Sequence, residues 1–385
     1  MASSQPLKIG VLFSQSGIVS TIEQSQLQGT LFAIEEINAA GGVLGRELCP
    51  VHYDPESSPG KYRVLAERLI VKDKVNALFG GYKSSTRKAM QPVVEKWNKL
   101  LFYPTLYEGF ECSSNIIYTG AAPNQNSVQL AEFAMSNYGQ RVYMVGSDYV
   151  YPHESNRIMT DLVYQHPNGE KLAERYVPLN ATHEDFKDII AEIKQLQPDF
   201  IFSTVVGNST TALYQSYGDA GLDPKQMPIA SLTTLEAEIA EMGAQYGEGH
   251  ISSAPYFQSL NTPANQNCLQ RIKARFGSDT VISAGWEAAY FQVHLYANAV
   301  RQAGSESIDL LMPCLLQQEF EALQGRVRID PSNQHCYLHP RIGIANSDGQ
   351  FTILSQSETA VKPDPYLVTH TFEYFDNNIF HRESL

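Results

Sequence analysis

Cysteine is scarce: Cys49, Cys112, Cys268, Cys314 and Cys336 lie at wide, irregular spacing, with no Cys-x-x-Cys pair. That pattern excludes a disulfide-framed small domain and a paired-thiol zinc site. It leaves unpaired thiols as the expectation, in keeping with a reducing compartment. Basic residues are also few, with 28 Lys and Arg against 41 Asp and Glu and a formal charge of −13. Nucleic-acid binding draws most of its affinity from clustered Lys and Arg, so no direct nucleic-acid contact is expected. No apolar run approaches the roughly 18 residues that a membrane-spanning helix needs. The opening Met1 to Pro6 shows neither a charged region nor an apolar signal core. No export signal is therefore expected and the cytoplasm is the expected location, with the periplasm as the alternative where a leader has been removed.

Catalytic signatures are missing as well. There is no Gly-x-x-x-x-Gly-Lys-[Ser/Thr] phosphate loop, no Gly-x-Gly-x-x-Gly after the first strand and no Gly-x-Ser-x-Gly elbow. Gly80-Gly81-Tyr82-Lys83 has the right residue types in the wrong register. His335, Cys336 and His339 lie close together, but zinc needs four convergent donors, so a surface loop is the expectation there. His153 and Glu154 are adjacent and point apart on most backbones. The expectation is a protein that is not an enzyme and carries no cofactor and no metal.

What is present is a regular alternation of short apolar runs and amphipathic segments. Leu7 to Phe13 reads as a strand buried on both faces of a parallel sheet. A helix follows, with Ile22, Leu27, Leu31, Ile34 and Ile37 at helical spacing and Gly41-Gly42 as its stop. The rhythm repeats to about residue 102 and again from Asn124 to Met242, which is doubly wound α/β architecture. Past Gly249 the spacing predicts helices over 263–276, 284–302 and 314–323, then short strands over 325–329, 337–344 and 351–354. At 385 residues the chain exceeds what one core usually fills, so two lobes are expected. One comprises 7–123 plus about 252–325, the other 124–251 plus about 326–365, with 366–385 as a tail.

Three segments follow predicted strand ends, where open α/β sheets place their ligand crevice. Tyr82-Lys83-Ser84-Ser85-Thr86 sits at a helix start, whose backbone amides suit a carbonyl oxygen or an anion, although a serine there can equally serve only as a cap. Tyr103-Pro104-Thr105-Leu106-Tyr107-Glu108-Gly109-Phe110 is dense in aromatic groups. Ser147-Asp148-Tyr149-Val150-Tyr151-Pro152 carries two tyrosines two apart, which an extended backbone puts on one side. Tyrosine offers a flat wall and one hydroxyl, a combination that suits a small polar ligand.

Ser84-Ser85-Thr86-Arg87-Lys88, Tyr103-Pro104-Thr105, Tyr107-Glu108-Gly109-Phe110, Ala122-Pro123-Asn124-Gln125-Asn126 and Gly146-Ser147-Asp148-Tyr149 resemble the amide and urea receptor branch of type I periplasmic-binding-protein-like proteins. Tyr149-Val150-Tyr151-Pro152, Phe202 to Gly207 and Ala230 to Thr234 are most similar to the amide-sensing negative regulators of aliphatic amidase operons. The likeness runs from about Leu7 to Pro365. It implies a two-lobed α/β fold, each lobe a mostly parallel sheet flanked by helices, joined by short hinge crossovers. It also implies a small neutral amide or urea held between the lobes.

Carried over motif by motif, the ligand-binding positions are Tyr82, Ser84, Tyr103 and Thr105 from the first lobe and Tyr149, Tyr151, Val206 and Thr233 from the second. The resemblance further implies an antitermination regulator as protein partner, released when amide binds, and self-association into a homo-oligomer. The alternative is the receptor of an ABC transporter for urea or short amides. Gly81 stands where this branch tends to have cysteine, and Lys83 and Ser85 differ from the regulators, so pocket size is expected to differ. No carboxylate or arginine falls at a matched position, which favours an uncharged ligand; Glu108 and Asp148 are expected to lie beside the site.

Overall fold

The computed structural model describes residues 5–368; from position 369 on, the predicted tail lies outside the described residues. In chain order the elements begin β1 (Leu7–Leu12), α1 (Ser20–Ala39), β2 (Leu48–His52), α2 (Pro59–Val71), β3 (Ala77–Gly80), α3 (Ser84–Lys96), β4 (Leu100–Tyr103) and β5 (Ile116–Tyr118). After a 3-10 turn at Pro123–Gln125 come α4 (Ser127–Asn137), β6 (Arg141–Ser147), α5 (Val150–Gln165), β7 (Glu170–Val177), α6 (His183–Leu196), β8 (Phe200–Thr204) and α7 (Asn208–Asp219). They continue with β9 (Ile229–Ser231), α8 (Glu236–Met242), α9 (Ala244–Gly247), β10 (Ile251–Ala254), α10 (Pro263–Phe276), α11 (Ala284–Ala303) and α12 (Ile308–Leu315). The last are β11 (Glu319–Ala322), β12 (Gly325–Ile329), β13 (Cys336–Tyr337), β14 (Arg341–Ala345) and β15 (Phe351–Gln356). The chain forms two compact units.

The first unit runs to Ala121 and adds Gly285–Leu338. Its five-stranded sheet has the order β2-β1-β3-β4-β5, and every neighbouring pair is parallel. Such a sheet is covered on both faces, which is why β1 is almost continuously apolar, with Leu7, Ile9, Val11 and Leu12 fully buried. On one face Leu69 and Ile70 of α2 and Met90, Val93 and Val94 of α3 pack with Leu78, Leu101 and Tyr103. At the carboxyl edge the chain leaves β3 through two glycines. Gly80 has φ +156°, and a Cβ there would meet the Leu12 carbonyl oxygen at 2.0 Å; Gly81 has φ +89° and donates its N–H to that same oxygen at 3.0 Å. Only glycine allows both, and together they set the direction in which Tyr82 and Lys83 leave the sheet.

A three-stranded antiparallel sheet, β11-β12-β13, completes this unit. The helix expected over 314–323 is absent: α12 ends at Leu315 and Glu319–Ala322 pairs with β12. The cause is remote in sequence. Buried Glu287 of α11 accepts the backbone N–H groups of Leu323 at 3.0 Å and Gln324 at 3.2 Å and the Gln324 side chain at 2.7 Å, so it holds the turn of a hairpin.

The second unit comprises Ala122–Ala284 and the described residues from His339. Its seven-stranded sheet runs β15-β14-β10-β9-β8-β6-β7, parallel from β10 to β7 and antiparallel where β14 and β15 join. Phe186, Ile189, Ile190 and Ile193 of α6 lie in its core with Tyr143, Ile201, Leu213 and Phe351.

The lobe boundaries drawn from sequence shift accordingly. Residues 252–284 belong to the second unit because β10, expected nowhere in the sequence, pairs with β9 and β14; residues 326–338 belong to the first because β12 pairs with β11. None of the five cysteines is joined in a disulfide.

Candidate functional site

In the first unit the predicted residues gather at the carboxyl ends of β3 and β4. Thr105 follows β4 and is a relay: its Oγ1 accepts from the Gln26 side-chain amide at 2.9 Å and donates to the Gly81 carbonyl at 3.2 Å. Tyr82 is buried, and its carbonyl accepts the Tyr103 hydroxyl. Tyr103 itself lies in the core rather than on a wall. As the last residue of β4 it points to the face opposite Phe102, its ring fully buried, edge-on to Tyr118 at 6.5 Å and with the Arg87 guanidinium 4.9 Å from its centroid. Its part is to hold the Tyr82 backbone.

Ser84 opens α3 without capping it. The N-cap position is Lys83, and the Ser84 hydroxyl donates to Glu108. Beneath lies a buried ionic cluster. Arg87 pairs with Glu108 at 3.0 Å and Glu111 at 2.9 Å, and Glu111 also accepts Lys88 at 2.9 Å and the Tyr118 hydroxyl at 2.8 Å. Burial alone would raise the Glu111 pKa, but Arg87 above all, with Lys88 and Tyr118, holds it at about 2. Glu108 has its partners within the cluster, Arg87 and the Ser84 hydroxyl.

His335 and Cys336 depart from the surface-loop expectation, since both are fully buried. The His335 ring stacks on Tyr118 at 4.2 Å, with Nδ1 against the Asn333 carbonyl at 2.7 Å and Nε2 against the Tyr107 hydroxyl, so both nitrogens are engaged. Among the described residues no group of three or more His, Cys, Asp or Glu is placed to hold a metal ion.

In the second unit the predicted residues follow β6, β8 and β9, again at carboxyl ends. Tyr149 is the extended N-cap of α5 and Tyr151 lies in its first turn; their ring centroids are 6.2 Å apart. The two rings are thus neighbours through a helix start, not through an extended run. The Val206 N–H donates to the Ser147 hydroxyl at 3.2 Å, and the Thr233 hydroxyl donates to the Val205 carbonyl at 3.0 Å. These bonds tie the three strand ends together. Asp148 Oδ1 is hydrogen-bonded to His153 Nε2 at 2.8 Å, and that ring stacks on Tyr176 at 3.8 Å, while Glu154 turns away to Arg157 at 2.9 Å.

Sequence reasoning missed four residues at these edges. Glu23 and Gln26 sit on the buried face of α1, Lys83 precedes α3, and Glu236 opens α8. All are nearly or fully buried. Glu236 accepts the Gln258 N–H at 2.6 Å through Oε1, and burial pushes its carboxyl up to about 8. The available signal was helical phase: Glu23 and Gln26 fall three apart and in step with Leu27, Thr30, Ala33 and Ile34 on a buried face, where a carboxylate and an amide are out of place unless they serve something.

The match to known proteins agrees with this architecture. Residues 7–371 match the family described as periplasmic binding protein domain. A Leu/Ile/Val-binding protein homologue of Brucella suis is 24% identical over 87% of this chain and 86% of its own length. A protein named limonene hydroxylase from Geobacillus stearothermophilus is 37% identical over 130 residues, which is 34% of this chain and 24% of that protein. Among solved structures, the solute-binding protein of an ABC transporter from Rhodopseudomonas palustris HaA2, in complex with p-hydroxybenzoic acid, superposes with a TM-score of 0.84 at 22% identity, covering 95% of this chain and all of that one. With that match spanning nearly the whole chain, the chain belongs to the periplasmic binding protein domain family.

Proposed function

We propose that this chain is a receptor for a small neutral amide or urea, with Tyr82, Ser84, Thr105, Tyr149, Tyr151, Val206 and Thr233 as its ligand contacts. The observation that carries the reading is the state of the charges around these residues. Arg87 and Lys88 balance Glu108 and Glu111 in one cluster, and Asp148 is hydrogen-bonded to His153. A carboxylate ligand finds no uncommitted arginine there, and no charged side chain stands at a matched position. Hydroxyls, backbone amides and tyrosine rings suit a compact neutral molecule. With about four heavy atoms and a ceiling of roughly 1.5 kcal/mol per atom, its binding free energy reaches about −6 kcal/mol, a Kd of some tens of micromolar.

A thermal-shift screen tests the ligand class. Stabilisation is expected from at least one of formamide, acetamide, propionamide, butyramide and urea, and none from leucine, isoleucine or p-hydroxybenzoate. Stabilisation by the amino acids or the benzoate alone removes the amide reading.

The names of the relatives support the role of a transporter's solute receptor. A second role, sequestration of an antitermination regulator inside the cell, is supported by the runs Tyr149 to Pro152 and Ala230 to Thr234, which resemble the amidase regulators. Cell fractionation separates the two: a periplasmic pool indicates the transporter role. A cytoplasmic pool that co-purifies with an RNA-binding protein, and loses it on adding amide, indicates the regulator.

A further inference from the structure

The α1 residues missed at sequence level share a feature that the proposed ligand contacts do not use. Glu23 and Gln26 are 0% and 1% exposed. Glu23 spends Oε2 on the Ser14 N–H and the Tyr62 hydroxyl, the latter at 2.7 Å, and its Oε1 has no hydrogen-bond partner. Gln26 spends its NH2 group on Thr105 Oγ1, and its Oε1 likewise has none. The orientation of that amide is fixed by chemistry. Thr105 has one proton, and it goes to the Gly81 carbonyl, so its oxygen must accept from Gln26 and the Gln26 oxygen is left facing elsewhere. Two buried acceptors without donors, three residues apart on one helix face, sit beside Ser14, Gly81 and Thr105, the residues that follow β1, β3 and β4. Buried polar atoms are rarely left unpaired, so this placement asks for a group rich in N–H donors.

Lys83 decides the charge of that group. It is 5% exposed and its Nζ donates to the Ser57 carbonyl at 2.9 Å; the Ser57 N–H donates to the Ser14 hydroxyl at 2.8 Å and the Ser14 N–H to Glu23, so a short relay joins the ammonium to the carboxylate. Burial raises the Glu23 carboxyl and lowers the Lys83 amine, and each opposes the other's shift, as expected of a buried opposite-charge pair. A cationic guest at Glu23 brings a second positive charge next to Lys83, whereas a neutral NH2 group adds none.

Resting on the amide and urea reading, we propose that Glu23 and Gln26 are the acceptors for the NH2 group of the ligand, and that Lys83 restricts the guest to a neutral molecule. The site therefore separates isosteres that differ only in charge: urea from guanidinium, and acetamide from acetamidinium.

Calorimetric titration of the full chain with these four compounds tests the assignment. The wild type is expected to bind the neutral member of at least one pair at least ten-fold more tightly than its cation. Glu23→Gln and Gln26→Leu are each expected to weaken the neutral ligand at least ten-fold. Lys83→Met, which keeps side-chain length and removes the charge, is expected to gain affinity for the cation at least ten-fold relative to its neutral partner, a gain that misfolding cannot imitate. If the wild type binds urea or an amide while Glu23→Gln and Gln26→Leu stay within two-fold of it, the ligand class stands and the acceptor assignment falls. If Lys83→Met leaves the preference for the neutral member unchanged, the charge-gating assignment falls. A wild type that binds none of the amides and no urea overturns the ligand class and this proposal with it.

Discussion

Arg87 is fully buried with a carboxylate on either side, and removing one partner of such a cluster leaves charge in a medium that solvates it poorly. Arg87→Met leaves Glu108 without its cation and Glu111 with Lys88 alone, so a loss of about 3 to 5 kcal/mol in unfolding free energy is expected by denaturant titration. The same variant alters acid behaviour. Glu111 is held at about 2 against an ordinary 4.5, so it contributes stability that is present above pH 4.5 and is lost as pH falls towards 2. Arg87→Met should flatten that acid limb. Glu236 carries the opposite sign. Burial raises it to about 8, and its neighbour Glu238 to about 7, from 4.5. The folded protein therefore binds more protons than the unfolded chain between those values, and stability falls as pH rises from about 4.5 through 8, by about 1.4 kcal/mol per pH unit per group. Glu236→Gln keeps the acceptor for the Gln258 N–H and cannot ionise. Its melting temperature is expected to match the wild type at pH 5 and to exceed it at pH 9; equal loss in both proteins at pH 9 means that Glu236 is not the titrating group.

The hairpin of β11 and β12 shows what a single long-range contact does to local structure. Residues 314–323 have helical spacing, yet Glu319–Ala322 is a strand because Glu287, far away in sequence, takes up both N–H groups of the turn. Glu287→Ala leaves those buried donors unpaired, each costing about 1 to 3 kcal/mol, and hydrogen exchange at Leu323 and Gln324 is expected to accelerate well ahead of that in β1. Unchanged exchange at those two amides means that the turn holds itself. The same physics sets what was legible in the sequence. β1, α1, α6 and α10 were readable because their signal is local, either an apolar run or a helical stripe closed by a cap or a glycine. β5 and β10, three and four residues long, become strands only through neighbours supplied by distant segments, and Ser252 and Ser253 gave β10 no apolar run to read. Thr105, Tyr149 and Thr233 could be placed after strand ends from sequence because motifs mark the loops there. Tyr103 was misjudged because strand phase, not aromatic density, decides which way the last residue of β4 points. Glu23 and Gln26 were passed over because the apolar spacing of α1 was drawn through Ile22 and Leu31, which are only partly buried, while the buried stripe includes the polar pair.

Each unit has its own sheet and its own core, so each can respond separately to what binds it. A ligand that contacts only one unit stabilises that unit by its binding free energy and leaves local opening in the other unchanged. A ligand that contacts both withdraws the open states of both, and at 100 times Kd the gain is about 2.7 kcal/mol wherever opening breaks a contact. Hydrogen exchange with and without saturating ligand distinguishes these cases. For the neutral ligand proposed above, slower exchange is expected in two separated sets of amides, residues 81–87 with 105–107 after β3 and β4, and residues 205–210 with 232–235 after β8 and β9. Protection confined to the first set takes Tyr149, Tyr151, Val206 and Thr233 out of the contact list while leaving Thr105 and its α1 partners in place. Protection confined to the second set does the reverse and moves recognition to the unit that holds the buried carboxyls Glu236 and Glu238. Because unit membership is set by which strands pair, and the two sets lie after strands of different sheets, the exchange pattern reads the division of contacts directly from the backbone.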